Sequence, residues 1–127
     1  MNKRLVVTDD QSEVRDLVRM ILKTEGYELF EAANGEEGLG VIREQHPECV
    51  VIDLRLPGAL GGLDVCRQMH ADPVLKDIGI VIITCLDRRE NIQNCQRFGV
   101  DEYLTKPFSF VDLVSAVERA SAKGMMS

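Results

Sequence analysis

Cys49-Val50-Val51-Ile52-Asp53 is an unbroken apolar run, mostly β-branched, closed by an acid. A strand with one wet face would alternate apolar and polar residues. A continuous run instead predicts a strand buried on both faces, as in a parallel sheet covered by helices. Leu5-Val6-Val7 and Ile80-Val81-Ile82-Ile83 repeat the pattern. Tyr27 to Ala32 is more polar and reads as an edge strand, and Asp101 to Thr105 is a polar-tinged fifth.

Helical periodicity fills the gaps. Val14, Leu17, Val18, Ile21 and Leu22 form one apolar stripe on a helix from about Gln11 to Thr24, ended by Gly26. Asn34 is placed to cap a second helix with Leu39 and Ile42 facing inward. A third runs from about Leu63 to Ala71. A fourth runs from about Arg88 to Phe98, burying Ile92, Cys95 and Phe98 and stopping at Gly99. Ser109 caps a fifth, whose stripe is Leu113, Val114 and Val117. Five β-α units without a linker predict one α/β domain, a doubly wound parallel sheet with helices on both faces.

The 127 residues suffice for a core without disulfides or metals. With 45% hydrophobic residues the chain is not disordered, and no apolar run is long enough to cross a membrane. The N-terminal apolar stretch is too short for a signal peptide, so the cytoplasm is the expected compartment. A net charge of −6 disfavours direct binding to nucleic acid. Cys49, Cys66, Cys85 and Cys95 have no closely paired spacing, which argues against a zinc or disulfide framework. Cys49 and Cys85 sit in apolar runs and read as buried. His46 and His70 read as surface residues.

Doubly wound sheets bind ligands beyond the carboxyl ends of their strands. Asp9 and Asp10 follow the first strand, Asp53 ends the third, Thr84 the fourth and Lys106 the fifth. Carboxylates converging on one rim call for a hard cation with oxygen ligands, Mg²⁺, which keeps positions for water and a phosphoryl oxygen. A carboxylate can then become an aspartyl phosphate, with Thr84 and Lys106 holding the other phosphoryl oxygens. Singly, each residue has a plainer role. Asp10 is placed to cap the first helix, with Glu13 completing a capping box. Thr84 alone is a β-branched strand residue, and Lys106 alone a solvated surface charge. Their conjunction on one rim favours the chemical reading.

Four segments together carry a resemblance: Thr8-Asp9-Asp10, Val51 to Gly58, Ile83-Thr84, and Asp101 to Phe108. Over essentially the whole chain the sequence resembles the receiver domain of bacterial two-component response regulators. The resemblance implies a flavodoxin-like fold with strand order 2-1-3-4-5 and five helices. It implies a receiver domain over residues 1–124; a tail at 125–127 follows, and no output domain is expected within these residues, whether the chain is a stand-alone regulator or a fragment of a longer protein. Asp53 would take a phosphoryl group from a sensor histidine kinase or phosphotransfer protein. Asp10, Asp53 and the backbone carbonyl of Arg55 would bind Mg²⁺, with Asp9 acting through water. Thr84 and Lys106 would hold the phosphoryl group. Tyr103 would turn inward as Thr84 moves, rearranging the face of the fourth helix, fifth strand and fifth helix toward a downstream effector or output domain. A dimer formed on phosphorylation is compatible with this scheme. Such a domain catalyses only its own phosphorylation and dephosphorylation, and is not otherwise an enzyme. The family usually has a cis bond where Lys106-Pro107 stands, and a tight turn favours it.

Two departures stand out. The segment Pro57 to Leu63 lacks the acid that usually follows the proline and is one residue longer, which predicts a looser loop. Cys85 replaces a smaller residue, which predicts narrower access to Asp53. In the family that the sequence resembles, the side chains at the positions of Arg55 and Leu86 flank the path of a hydrolytic water; neither of these residues can activate one, so a long-lived phosphorylated state is expected. Three other readings compete. A phosphatase of the haloacid-dehalogenase type needs a second acid where Arg55 stands. A flavin mononucleotide binder needs a phosphate loop where Asp9 and Asp10 would repel it. A phosphorylation-independent interaction module has no use for the assembled rim.

Overall fold

The computed structural model describes residues 3–85 and 89–125. Its elements alternate as expected: β1 (Lys3–Thr8), α1 (Ser12–Lys23), β2 (Tyr27–Ala32), α2 (Gly35–Gln45), β3 (Cys49–Asp53), α3 (Gly62–Ala71), β4 (Gly79–Thr84), α4 (Arg89–Arg97), β5 (Glu102–Thr105) and α5 (Phe110–Ser121). A 3-10 turn, Ala122–Met125, follows α5. The strands form one parallel sheet in the order β2-β1-β3-β4-β5. The fold implied by the sequence is therefore the fold observed.

Strand alternation explains the continuous apolar runs. Leu5, Val7, Cys49, Val51, Val81 and Ile83 enter one core layer, with Val18, Ile21 and Leu22 of α1 and Leu113 and Val117 of α5. Val6, Val50, Ile52, Ile80 and Ile82 enter the other, with Leu39 and Ile42 of α2, Val65 and Met69 of α3 and Cys95 of α4. Each central strand thus buries both sets of side chains, as a sheet covered on two sides requires. Fully burying one such aliphatic side chain contributes about 1.5–3 kcal/mol.

The helix ends follow local chemistry. The Asn34 side chain accepts from the Glu37 amide at 2.8 Å, and Ser109 accepts from the Asp112 amide at 3.0 Å. Gly26 and Gly99 close α1 and α4 with φ of 87° and 78°. At Gly79 the reason for glycine is space. A Cβ there would stand 2.1 Å from the Ala120 carbonyl oxygen, so the start of β4 lies directly against α5. Gly79→Ala is expected to destabilise the domain by about 2 kcal/mol or more through overpacking, measured as a lower midpoint in urea unfolding.

Several expectations need correction. Leu17 lies at the margin of the α1 stripe and is 43% exposed, because the stripe that meets the sheet is carried by Val18, Ile21 and Leu22. Cys85 is exposed rather than buried, since it follows Thr84, where the chain leaves the sheet. Asp101 stands outside β5; its carboxylate accepts from the Ile80 amide at 2.8 Å and pairs with Lys123. Arg88, the expected start of the fourth helix, lies outside the described residues.

Candidate functional site

Parallel strands end together, so the residues after β1, β3, β4 and β5 meet at one rim. Ligand atoms of Asp9, Asp10 and Asp53 all lie within 4.8 Å of one another. Asp9 is fully buried, Asp53 nearly so, and Asp10 is exposed. Asp10 does not cap α1. The N-cap position is Gln11, whose carbonyl accepts from Val14 and Arg15, which leaves the Asp10 carboxylate to the rim.

Lys106 organises the cluster. Its ammonium donates to Asp9 Oδ2 at 2.8 Å, to Asp53 Oδ2 at 2.8 Å and to Gln11 Oε1 at 3.2 Å. An ammonium has three protons, and these acceptors satisfy all of them. The solvated-charge reading of Lys106 is thereby displaced, since its side chain is only 12% exposed. The Lys106-Pro107 bond is cis, as expected.

Burial pushes the Asp53 carboxyl above its ordinary range, and the charge on Asp9 adds to this. Hydrogen bonds from Lys106 and from the Arg55 amide, the latter 2.9 Å from Asp53 Oδ1, work against the rise. Burial lowers the proton affinity of Lys106, but its bonds to Asp53 and Asp9 more than reverse that, so its pKa is raised. The rim therefore holds more negative charge than its own lysine neutralises, and its donors are hard oxygens. That chemistry fits a divalent cation such as Mg²⁺.

Thr84 ends β4 fully buried. In the register of β4 and β5, Ile82 pairs with Tyr103, and Tyr103 packs on the core layer facing α2, α3 and α4. Thr84 and Tyr103 are thus placed on adjacent strands, two residues apart in register. Arg55, two residues after Asp53, is exposed. Leu86 lies outside the described residues.

The structure adds residues that the sequence reading did not single out. Gln11 holds Lys106 and donates its own amide to Asp9 Oδ1 at 2.9 Å. Arg15 donates to the Asp9 carbonyl at 2.7 Å and pairs with Glu31, so it fixes the backbone behind the acid pair. Gly62 is required because a Cβ there would stand 2.2 Å from the Asp53 carbonyl oxygen. The loop after Asp53, expected to be loose, has unforeseen anchors: the Glu36 carboxylate accepts from the Ala59 and Leu60 amides, both at 3.1 Å.

A doubly wound domain with an acid trio, a threonine and a lysine at its carboxyl rim defines a class of phosphoacceptor-type signalling modules. The model of the response regulator receiver domain matches residues 5–118, and the chain belongs to that family. It is 30% identical over 118 residues to the phosphate regulon transcriptional regulatory protein PhoB of Pseudomonas aeruginosa, covering 93% of this chain and 51% of that one. It is 29% identical over 119 residues to sporulation initiation phosphotransferase F of Bacillus subtilis, covering 94% of each. The chain thus spans about half of the first relative and nearly all of the second. A CheY-like receiver domain structure from Methanospirillum hungatei superposes with a TM-score of 0.90 at 25% identity, covering 99% of this chain and 98% of that one. Among the described residues no helix is long and apolar enough to cross a membrane.

Proposed function

We propose that Asp53 accepts a phosphoryl group from a phosphohistidine on a sensor histidine kinase or phosphotransfer protein. The observation that carries this reading is the Lys106 ammonium bridging Asp9 and Asp53 inside a three-carboxylate cluster at the strand ends. One Asp53 oxygen forms the new bond to phosphorus as the phosphorus–nitrogen bond to the imidazole breaks, and the imidazole leaves with the electron pair. Asp10, Asp53 and the Arg55 carbonyl would hold Mg²⁺, with Asp9 acting through water; the bound ion supplies charge neutralisation for the transferring phosphoryl oxygens. Lys106 is already placed to follow the phosphoryl group, since it touches the acceptor carboxylate. The Thr84 hydroxyl would take a further oxygen.

Movement of Thr84 toward the phosphoryl group would be passed to Tyr103 on the neighbouring strand, and so to the face formed by α4, β5 and α5. On this reading the protein catalyses only its own phosphorylation and dephosphorylation. It works in the cytoplasm with a kinase on one side and an effector or output domain on the other, directly or as a dimer formed on phosphorylation. The receiver unit spans residues 1–124. Leu17 and Met20 on α1, and Phe110 and Val111 on α5, are exposed apolar side chains on the two helices that share a sheet face. The relatives' names support both a transcriptional and a relay role. The test is incubation with acetyl phosphate and Mg²⁺, followed by mass spectrometry of the peptides. A phosphoryl group on Asp53 is expected, and one located on another residue overturns the assignment.

The lifetime of that group is expected to be minutes or longer. A hydrolytic water must lie in line with the Asp53–phosphorus bond, and productive geometry supplies much of the rate. Arg55 is exposed, and its side chain offers no acceptor to orient a water. Decay after donor removal should accelerate severalfold in the double variant Arg55→Asn, Leu86→Glu. Decay within seconds in the wild type, or equal rates in the two proteins, would sink the expectation.

A further inference from the structure

The segment between β3 and α3 carries Arg55, whose backbone belongs to the proposed cation site, and then turns sharply at Gly58, where φ is +92°. A turn of that kind leaves main-chain amides pointing outward, and unpaired amides let a loop sample other conformations. Here two of them, Ala59 and Leu60, donate to a single oxygen of Glu36, each at 3.1 Å. Glu36 stands in the first turn of α2, where the helix dipole favours an acid. It is thus held from its own side while it grips the loop from the other.

The approach is fitted on both sides. A Cβ on Gly35 would lie 2.3 Å from the Leu60 carbonyl oxygen, so only glycine lets α2 come this close. A Cβ on Gly58 would lie 3.2 Å from Glu36 Oε2, so the turn and the carboxylate are in direct contact. Below the grip, Leu56 and Leu60 pack on the core layer of α2 and α3. At the other end of the segment the Arg55 amide donates to Asp53 Oδ1 at 2.9 Å. The stretch from Asp53 to Leu60 is therefore tied at its acceptor end, along its apolar side and at its tip.

We infer that Glu36 is a positioning residue for the rim: by clamping the Ala59 and Leu60 amides it fixes the segment that presents the Arg55 carbonyl to a bound cation. The inference rests on the reading of this rim as a Mg²⁺-dependent phosphoacceptor site. Glu36 touches neither the cation nor the phosphoryl group, and its effect is on the geometry of the loop.

The neighbouring Glu37 supplies the contrast. Its carboxylate accepts from the Ala33 amide at 3.3 Å and its amide donates to Asn34, so it serves the helix cap and not the loop. The experiment compares the wild type with Glu36→Ala, Glu36→Gln and Glu37→Ala. Three quantities are measured: amide hydrogen exchange at Ala59 and Leu60, affinity for Mg²⁺ alone by calorimetry, and Tm. In Glu36→Ala the two amides should exchange about tenfold faster and Mg²⁺ affinity should fall about 3–10-fold, the scale of one ordinary net hydrogen bond. Glu37→Ala loses only its bond from the Ala33 amide, because the Asn34 cap uses the Glu37 backbone amide, and it should keep its Mg²⁺ affinity; Tm shows that both alanine variants remain folded. Glu36→Gln keeps a carbonyl acceptor and should recover most of both losses. Unchanged exchange in Glu36→Ala overturns the clamp. Equal Mg²⁺ affinity in wild type and Glu36→Ala overturns the positioning role alone. A wild type that binds no Mg²⁺ overturns the reading of the rim and the role of Glu36 with it.

Discussion

Asp53→Asn is expected to abolish phosphorylation while raising the Tm of the metal-free protein. The first effect follows from chemistry: a neutral amide is a far poorer nucleophile than a carboxylate, so a loss of at least about a hundredfold is expected. The second follows from electrostatics. Burial, followed by the charge of Asp9, holds the Asp53 carboxyl above its ordinary range despite Lys106 and the Arg55 amide. A carboxyl with a raised folded-state pKa binds its proton more tightly folded than unfolded. Folding stability then falls as pH rises from the ordinary carboxylate value of about 4 through the raised value. Once the carboxyl is ionised the wild type carries the cost of a buried charge, and asparagine does not. The variant should therefore melt higher than the wild type at pH 7. The advantage should vanish as pH approaches about 4. Added Mg²⁺ should reverse the order, because it stabilises the state with the full acid set. A lower Tm for Asp53→Asn at pH 7 without metal would contradict this account.

The parts legible from sequence are those governed by one strand or one helix at a time. Val50, Val51 and Ile52 declare a strand buried on both faces because alternation sends neighbours to opposite core layers. Asp53, Thr84 and Lys106 were identifiable because each follows its strand, and a parallel sheet gathers strand ends. What escaped were contacts between segments far apart in the chain. Gln11 meets Lys106 from 95 positions away, and Glu36 meets Leu60 from 24. Neither pairing has a local pattern. Arg15 gave a faint signal as a cation one residue beyond Val14 at the edge of the α1 stripe, and its half-buried pairing with Glu31 and the Asp9 carbonyl depends on β2 and β1 lying side by side. Leu17 and Cys85 depart from their sequence patterns for a related reason. Apolar composition does not say where the buried face of a helix ends or where a strand leaves its sheet: Leu17 lies at the margin of the α1 stripe and Cys85 just past β4.

Lys106→Met is expected to be among the most destabilising single changes at the rim. The ammonium lies 2.8 Å from oxygens of both Asp9 and Asp53, whose side chains are 0% and 8% exposed. Removing one partner of a buried pair leaves the other charge without compensation, which typically costs about 3–5 kcal/mol. Here two carboxylates are left facing each other and Asp10. The pH dependence separates this cause from lost packing. In the wild type, the raised pKa of Lys106 means its stabilisation is present below the ordinary lysine value of about 10.4 and lost only as pH rises through the higher folded value. In the variant, Lys106 no longer opposes the burial that raises the Asp53 pKa, so the penalty should shrink as pH falls and Asp53 takes up its proton. A packing defect would cost the same at both pH values. Mg²⁺ should restore part of the loss, since a cation among the same oxygens replaces the missing charge. Urea midpoints of wild type and Lys106→Met at pH 7 and pH 4.5, with and without Mg²⁺, decide the matter. A deficit independent of both pH and Mg²⁺ would show that Lys106 holds the rim by shape and not by charge.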